Sequence, residues 1–249
     1  MLEIKNLKKT FGNLVATDKI DFQLGRESDE VVFIVGPNGA GKTTLINLIT
    51  GHLYPDSGTI TLDGEEITAL DPTSRVDRGL VRSFQIVHLF DEMTVRDNIR
   101  ITVLSNHGIT TSLFSLKDEH EAVESEVDDI LDTFGLTDIA DEIAEELPHG
   151  QRKLLDIAMT FGLEPNYLLL DEPTAGIPSG KNVDIIETIL DVARREKIPI
   201  ATIEHDMELV LEYADRVVAL HQGSILREGP ADIIREDEEL RRTLLGVKT

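Results

Sequence analysis

The chain of 249 residues lacks cysteine altogether, has few basic residues and contains no long hydrophobic run. The absence of cysteine excludes disulfides and thiolate metal sites, which fits a reducing cytosol. No apolar run approaches the roughly 18 residues of a membrane-spanning helix, and residues 1–5 show no signal-peptide pattern. With an apolar content of 41%, the chain can bury a large core. We therefore expect a globular protein that does not cross a membrane by itself.

The shortage of basic residues leaves the charge one-sided, because 24 Lys and Arg stand against 47 Asp and Glu. The resulting net charge of −23 argues against direct binding of nucleic acid, which needs a basic surface. Thirteen acidic residues lie between Asp118 and Glu146, a stretch without Lys or Arg. We interpret this as halophilic adaptation to a salt-rich cytoplasm, where counterions screen such a surface. The alternatives are an ordinary solvated acidic face and docking onto a basic partner.

The most informative motif is a glycine-rich stretch between a predicted strand and a predicted helix. Residues 36–43, GPNGAGKT, match the phosphate-binding pattern G-x-x-x-x-G-K-[ST] of a P-loop. The β-branched run at 31–35 predicts a buried strand before it, and residues 43–53 predict a helix after it. In this context the backbone N–H groups and the helix dipole favour binding of the β- and γ-phosphates of ATP.

Two side chains of this loop have specific expected roles. Lys42 should reach the terminal phosphates, and the hydroxyl of Thr43 should bind Mg²⁺. The alternative, a glycine-rich turn without a ligand, is weakened by the motifs that follow downstream. The residues expected to bind the nucleotide here are Gly36, Pro37, Asn38, Gly39, Ala40, Gly41, Lys42, Thr43 and Thr44.

The remaining pattern predicts an α/β fold. Alternating apolar residues in 1–24 indicate antiparallel strands, and buried runs at 167–170 and 199–203, joined by an amphipathic helix at 183–195, indicate a parallel sheet covered on both faces. Shorter strands are expected at 58–64, 217–220 and 224–227, the last two as a hairpin around Gln222 and Gly223. We expect 1–89 and 162–249 to form an ATP-binding core with a β subdomain, and 90–161 to form an inserted helical subdomain.

Two adjacent carboxylates follow the apolar strand at 167–170. Ligands bind at the carboxyl ends of strands in open parallel sheets, which is where Asp171 and Glu172 are expected to lie. Asp171 would hold Mg²⁺ directly or through water, and Glu172 would act as the general base on the attacking water. The alternative is that both acids merely begin the loop that contains Pro173.

A histidine and a glutamine end two further apolar segments. His205 follows the strand at 199–203 and could donate a hydrogen bond to the γ-phosphate or to the water. Gln85 follows the segment 80–84 and could contact Mg²⁺ or the water, although its signal is weak by itself. A lone histidine is more often a surface or core residue, but its place one strand after the Asp-Glu pair favours the catalytic interpretation.

In this order the motifs resemble those of ABC-type ATPase subunits over essentially the whole chain. The resemblance implies a P-loop NTPase (RecA-like) core, the cofactors ATP and Mg²⁺, and stacking of Phe11 on adenine. It also implies a head-to-tail dimer in which each ATP lies between the P-loop of one subunit and the signature segment 147–151, LPHGQ, of the other. Gly150 and Gln151 would then contact the nucleotide. The helical subdomain and the loop at Gln85 would transmit closure to membrane subunits.

Within that family the chain looks most like the ATPases of branched-chain amino acid importers, on segments 48–51, 82–85, 89–95 and 203–207. ATPases of urea or short-chain amide importers are the next most similar. The resemblance implies a peripheral subunit at the cytoplasmic face of the cell membrane, bound to a polytopic permease and served by an extracellular solute-binding protein. A non-transport ABC ATPase for assembly or remodelling is the alternative, and a regulator that barely hydrolyses ATP is disfavoured by Glu172 and His205.

Two positions depart from the family pattern. Pro148 and His149 stand where a small hydroxyl residue and a glycine are usual, and Pro178 stands where many members have an aspartate that crosses the dimer. Pro148 offers a phosphate neither a hydroxyl nor a backbone N–H. We therefore expect the chain alone to dimerise weakly and hydrolyse ATP slowly, and the working unit to be a heterodimer with a second ABC ATPase rather than a homodimer.

Overall fold

The computed structural model describes residues 1–83, 89–108, 117–177 and 180–245. The strands in these ranges are β1 (Leu2–Phe11), β2 (Leu14–Leu24), β3 (Val31–Val35), β4 (Ser57–Leu62), β5 (Glu65–Glu66), β6 (Leu80–Arg82), β7 (Tyr167–Asp171), β8 (Ile200–Ile203), β9 (Arg216–His221) and β10 (Ser224–Gly229). The helices are α1 (Lys42–Ile49), α2 (Pro72–Val76), α3 (Val95–Asn106), α4 (Lys117–Thr133), α5 (His149–Phe161), α6 (Lys181–Glu196), α7 (Met207–Tyr213), α8 (Ile233–Glu236) and α9 (Glu238–Leu245).

A six-stranded sheet has the order β10-β9-β3-β8-β7-β6. The neighbours from β9 to β6 pair in parallel, and β10 pairs antiparallel with β9. Every residue of β3, β7 and β8 is buried, as continuous apolar runs require when both faces of a parallel sheet are covered. The buried parallel strands predicted from sequence are confirmed. Their order brings the carboxyl ends of β3, β8, β7 and β6 to one edge of the sheet.

A four-stranded antiparallel sheet, β2-β1-β4-β5, forms the β subdomain. The predicted alternation is confirmed, since Leu2 and Ile4 of β1, and Phe22 and Leu24 of β2, are buried. Directly opposed pairs include Leu2 with Leu24 and Ile4 with Phe22. Their side chains join a hydrophobic core that also contains residues of β3 and α1. This packing attaches the β subdomain to the segment that carries the P-loop.

Two hairpin turns match their sequence signals. Asp63 and Gly64, between β4 and β5, have φ values of 50° and 84°. Gln222 and Gly223, between β9 and β10, have φ values of 48° and 81°. Two successive residues with positive φ give the turn a twist that suits a tight antiparallel hairpin, and Asp-Gly is a preferred pair for it. Both predicted turns are confirmed.

Helix α1 is shorter than the predicted helix at 43–53, because it ends at Ile49. Gly51 has a φ of 80°, a left-handed conformation that ends a helix. The buried guanidinium of Arg75 donates to the carbonyl oxygens of Leu48 and Ile49 at 2.8 and 2.5 Å. A cation at the carboxyl end of a helix is favoured by the helix dipole. Because Arg75 lies far from the helix in sequence, the pattern within 43–53 could not reveal this end.

The chain divides into two compact units. The first contains Met1–Arg82, Asn166–Pro173 and Ala193–Thr249, and the second contains Ser83–Pro165 and Thr174–Val192. The predicted domain boundaries at 89/90 and 161/162 remain a prediction. No helix in the described part of the chain has both the length and the apolar composition needed to span a bilayer.

The second unit is mainly helical in its described residues between 90 and 161, as predicted. Helix α3 packs against α4 and α5. Arg100 of α3 donates to both carboxylate oxygens of Glu124 of α4, at 2.6 and 2.9 Å. Arg96 pairs with Asp128 at 2.6 Å. Part of the charge in the acidic stretch is therefore neutralised by arginines that precede it in sequence.

Candidate functional site

The P-loop follows β3 and leads into α1. Gly41 precedes the helix with a φ of 105°, which disfavours residues with a side chain. A Cβ atom at Gly41 would lie 2.3 Å from the carbonyl oxygen of Ala16, and one at Gly36 would lie 2.3 Å from that of Leu220. These two glycines therefore allow neighbouring strands to approach the loop backbone closely. Substitution at either position would displace the loop.

Lys42 is buried at the start of α1. Its ammonium group donates to the carbonyl oxygens of Gly36 at 2.6 Å and Pro37 at 3.3 Å. Burial lowers the pKa of Lys42, and the negative charges of Glu172 and Asp171 oppose that shift. The cation expected from the motif thus lies against the loop backbone and close enough to both carboxylates to interact with their charges.

A cavity of about 270 Å³ is lined by residues 38–44 of the P-loop and the start of α1, whereas the predicted binding residues Gly36 and Pro37 do not line it. Its lining residues come from the β1–β2 hairpin, the loop, the start of α1 and the ends of β7 and β8, namely Phe11, Leu14, Val15, Ala16, Asn38, Gly39, Ala40, Gly41, Lys42, Thr43, Thr44, Glu172 and His205. Phe11 and Leu14 are exposed by 46% and 66%. The cavity therefore has an apolar wall at one side and a polar, phosphate-sized loop at the other. Leu14, Val15 and Ala16 were not predicted to line the site, although their closeness in sequence to Phe11 is a usable signal.

Glu172 and His205 meet at the edge of the sheet. The Nε2 atom of His205 lies 3.0 Å from Oε1 of Glu172. Since a carboxylate accepts hydrogen bonds, Nε2 donates in this pair. Glu172 has a φ of 52°, and its backbone N–H donates to the carbonyl of Ile203 at 3.1 Å. A non-glycine residue in this conformation is strained, and such strain is concentrated at functional sites. The geometry suits a general base held by an imidazole.

Asp171 has a different environment from its neighbour. Its side chain is 3% exposed, and Oδ2 accepts a hydrogen bond from Nη2 of Arg82 at 2.7 Å. Nη1 of Arg82 donates to Oδ1 of Asn47 at 2.5 Å. Neither Arg82 nor Asn47 was predicted to be a site residue: Arg82 belongs to segment 82–85, which carries the family resemblance but assigns it no role, and Asn47 lies outside the recognised motifs.

These residues fit a Mg²⁺ site of the kind found with bound nucleotides. Mg²⁺ takes one or two protein oxygens, and substrate phosphates and water complete its shell. The hydroxyl of Thr43, which lines the cavity, and the carboxylate of Asp171, which is nearly buried at the end of β7 and does not line it, would supply that number. No cluster of three or more His, Asp or Glu with metal-site geometry occurs in the described ranges. The described residues therefore offer no metal site that is formed by protein side chains without a nucleotide.

Gly150 and Gln151 lie in the first turn of α5, which begins at His149. Pro148 is the preceding cap residue and makes no side-chain hydrogen bond to the helix. These residues belong to the second compact unit and do not line the cavity of the P-loop. Their expected contact with a nucleotide across a dimer stays a prediction. Gln85 and Pro178, the other two positions singled out in sequence, lie outside the described residues.

The known proteins that this chain resembles in sequence and in structure are ATP-binding proteins of ABC transporters. A family model described as ABC transporter matches residues 18–175, more than half of the chain. The high-affinity branched-chain amino acid transport ATP-binding protein BraF of Pseudomonas aeruginosa is 35% identical over 252 residues, covering 99% of this chain and 98% of its own. The corresponding protein LivG of Salmonella typhimurium is 36% identical, with the same coverage. A solved ATP-binding cassette of an ABC transporter superposes with a TM-score of 0.85, at 30% identity and 98% coverage of both chains.

Proposed function

This chain belongs to the ABC transporter family, as its motifs predicted, and we propose that it is the ATP-hydrolysing motor subunit of an importer for branched-chain amino acids. Members of this family bind and hydrolyse ATP, and the P-loop cavity matches that activity. The observation that carries the proposal is similarity over the full length, at 35% and 36% identity, to two ATP-binding proteins of branched-chain amino acid transport. The solute itself is assigned by similarity, because an ATPase subunit does not contact it.

In the proposed reaction, water attacks the γ-phosphorus of ATP and the bond to the ADP oxygen breaks. The carboxylate of Glu172, which accepts from Nε2 of His205 at 3.0 Å before the reaction, takes the proton of the water. The same N–H of His205 would then turn to the γ-phosphate as negative charge develops there. Lys42 and the N–H groups of the P-loop bind the β- and γ-phosphates. When bound, Mg²⁺ would neutralise phosphate charge, with Thr43 and Asp171 as its protein ligands and Gln85 beside it.

The adenine end of ATP would lie at the apolar side of the cavity. Phe11 offers an exposed ring there, next to Leu14 and Val15. Stacking of a base on an aromatic ring contributes roughly 1–3 kcal/mol. This placement explains why three hydrophobic residues of the β1–β2 hairpin remain exposed.

We further propose that the chain works in an ATPase dimer, with Gly150 and Gln151 of the partner's signature segment facing each ATP. The dimer would bind a polytopic permease at the cytoplasmic face of the membrane, and an extracellular solute-binding protein would deliver the amino acid. Residues 90–161 would form the helical subdomain that transmits closure to the permease.

Transport can be tested directly. Affinity-tagged protein is purified from native membranes, and uptake of labelled leucine, isoleucine and valine is compared between cells with the wild-type chain and cells with Glu172→Gln. We expect co-purification of a polytopic permease and loss of uptake in the variant. Uptake of labelled urea, and not of the amino acids, that depends on this subunit would reassign the solute. The absence of any polytopic partner would instead favour an assembly or remodelling ATPase.

The signature segment gives a separate expectation about the dimer. The first turn of α5 keeps the backbone N–H groups near Gly150 and Gln151, but Pro148 lacks the hydroxyl that is usual at its position and has no N–H of its own. A hydrogen bond to a charged phosphate contributes about 1.5–3 kcal/mol, so we expect Pro148→Ser to strengthen ATP-driven homodimerisation by at least about tenfold. Sedimentation of the Glu172→Gln background with ATP measures this. Unchanged dimerisation, or a stable ATP-dependent homodimer of the unmodified chain, would contradict the heterodimer proposal.

Halophilic adaptation, proposed from the net charge of −23, predicts a salt effect on stability. The Debye length falls from about 10 Å at 0.1 M to about 3 Å at 1 M salt, which weakens repulsion among the acidic side chains. We expect the melting temperature to rise with KCl into the molar range. A variant with Asp129→Asn, Asp132→Asn and Asp138→Asn, all exposed, should respond less steeply. A flat or falling profile of the wild-type chain would refute the adaptation.

A further inference from the structure

Arg82 joins three separate segments of the first compact unit. It is the last residue of β6, and its guanidinium donates to Asp171 at the end of β7 and to Asn47 of α1. The two donors are different nitrogen atoms, at 2.7 and 2.5 Å from their acceptors. The side chains of Arg82 and Asp171 are 8% and 3% exposed. The ion pair is therefore nearly buried, and the guanidinium of Arg82 is fixed by acceptors on two different elements, Asn47 of α1 and Asp171 of β7.

The planar guanidinium suits this arrangement. Arginine presents several N–H groups in a rigid fork, whereas the ammonium of lysine is a compact charge on a flexible stem. Removal of one partner from a buried ion pair leaves an uncompensated charge, which is strongly unfavourable. Arg82 therefore helps to fix the orientation of the Asp171 carboxylate.

The position of Asn47 extends this dependence to the P-loop helix. Asn47 lies four residues after Thr43, one turn further along α1. Through its two donors, Arg82 thus links the helix that carries Thr43 to the strand that ends at Asp171. These are the two side chains that fit Mg²⁺ beside the nucleotide.

We propose that Arg82 is a positioning residue for ATP hydrolysis, which holds Asp171 by one carboxylate oxygen and sets its spacing from Thr43 through Asn47. This inference rests on the proposed function of the site. Arg82 touches neither the phosphates nor the attacking water in this role. Its effect is on how well Mg²⁺ assists nucleotide binding, and less on binding of the nucleotide alone.

The test uses the full chain and a fluorescent ATP analogue, mant-ATP, titrated in EDTA and in millimolar Mg²⁺. For Arg82→Met we expect the dissociation constant in EDTA to stay within about twofold of wild type, while the gain in affinity from Mg²⁺ falls by about tenfold or more. Arg82→Lys keeps the charge but loses the fork, so it should restore only part of the gain. Asn47→Ala, which leaves the Arg82–Asp171 pair, should lie between Arg82→Lys and wild type.

Arg78→Met is the matched control, because Arg78 is an arginine of the same unit whose ion pair with Glu65 lies at the surface. It should bind mant-ATP as wild type does under both conditions. A wild-type Mg²⁺ gain in Arg82→Met, even with a lowered melting temperature, would overturn the inference. If Arg82→Met does not fold, Arg82→Lys and Asn47→Ala test the inference in its place. A wild-type gain in mant-ATP affinity from Mg²⁺ in both variants would overturn the inference. Failure of the wild-type chain to bind mant-ATP with Mg²⁺ would instead refute the proposed function.

Discussion

Replacement of Glu172 by glutamine should abolish most ATP turnover while leaving ATP binding intact. The amide has the shape of the carboxylate but cannot accept a proton from the attacking water. General-base catalysis contributes about 10²–10⁴-fold to a rate, so we expect turnover with Mg-ATP to fall by at least about a hundredfold. Phosphate release measures the rate, and mant-ATP fluorescence measures the affinity, which should change by no more than about threefold, less than the loss of one ordinary hydrogen bond.

The bond between Glu172 and His205 sharpens this expectation. In Glu172→Gln the new amide oxygen can still accept the hydrogen bond that Nε2 of His205 donates at 3.0 Å, so the position of the side chain is retained. In the presence of the second ABC ATPase, the ATP-bound dimer should therefore accumulate. Glu66→Gln, at an exposed residue of β5, is the matched control and should turn over ATP at the wild-type rate. Wild-type turnover by Glu172→Gln would remove Glu172 from the role of general base.

Replacement of Lys42 by alanine should weaken nucleotide binding, the step that precedes the hydrolysis affected by Glu172→Gln. The lost ammonium is the buried cation of the P-loop, and charge-assisted hydrogen bonds to phosphate are stronger than neutral ones. Loss of one or two such bonds corresponds to a fall in ATP affinity of about ten- to a few hundredfold. Titration with mant-ATP in EDTA isolates this effect from Mg²⁺ and from hydrolysis.

The same variant needs a check of folding, because Lys42 donates to the carbonyl oxygens of Gly36 and Pro37. A melting temperature close to that of wild type would show that weaker binding reflects the lost cation. Lys5→Ala, at an exposed lysine of β1, controls for the general loss of a positive charge from an acidic protein. Tight ATP binding by Lys42→Ala would contradict the P-loop assignment. Together the two variants separate binding, which needs Lys42, from chemistry, which needs Glu172.

Much of the fold and of the candidate site followed from the sequence alone. The strands at β3, β7 and β8 could be located because both faces of a parallel strand are buried, so each strand is a continuous apolar run. The P-loop and the Asp171-Glu172 pair were located because their chemistry resides in neighbouring residues. The P-loop directly follows β3, and Asp171 and Glu172 stand at the end of β7. A pattern within a short stretch of sequence is therefore enough to predict both positions.

The tertiary structure decided what depends on residues far apart in the chain. Strand order places β8 between β3 and β7, which brings His205 to Glu172 across 33 positions of sequence. It also brings Arg82 to Asp171 across 89 positions. The end of α1 is set in the same way, since Arg75 binds the carbonyls of a helix that ended 26 residues earlier. Such contacts follow from the packing of whole elements, and no periodicity within a single segment encodes the partner of a buried arginine.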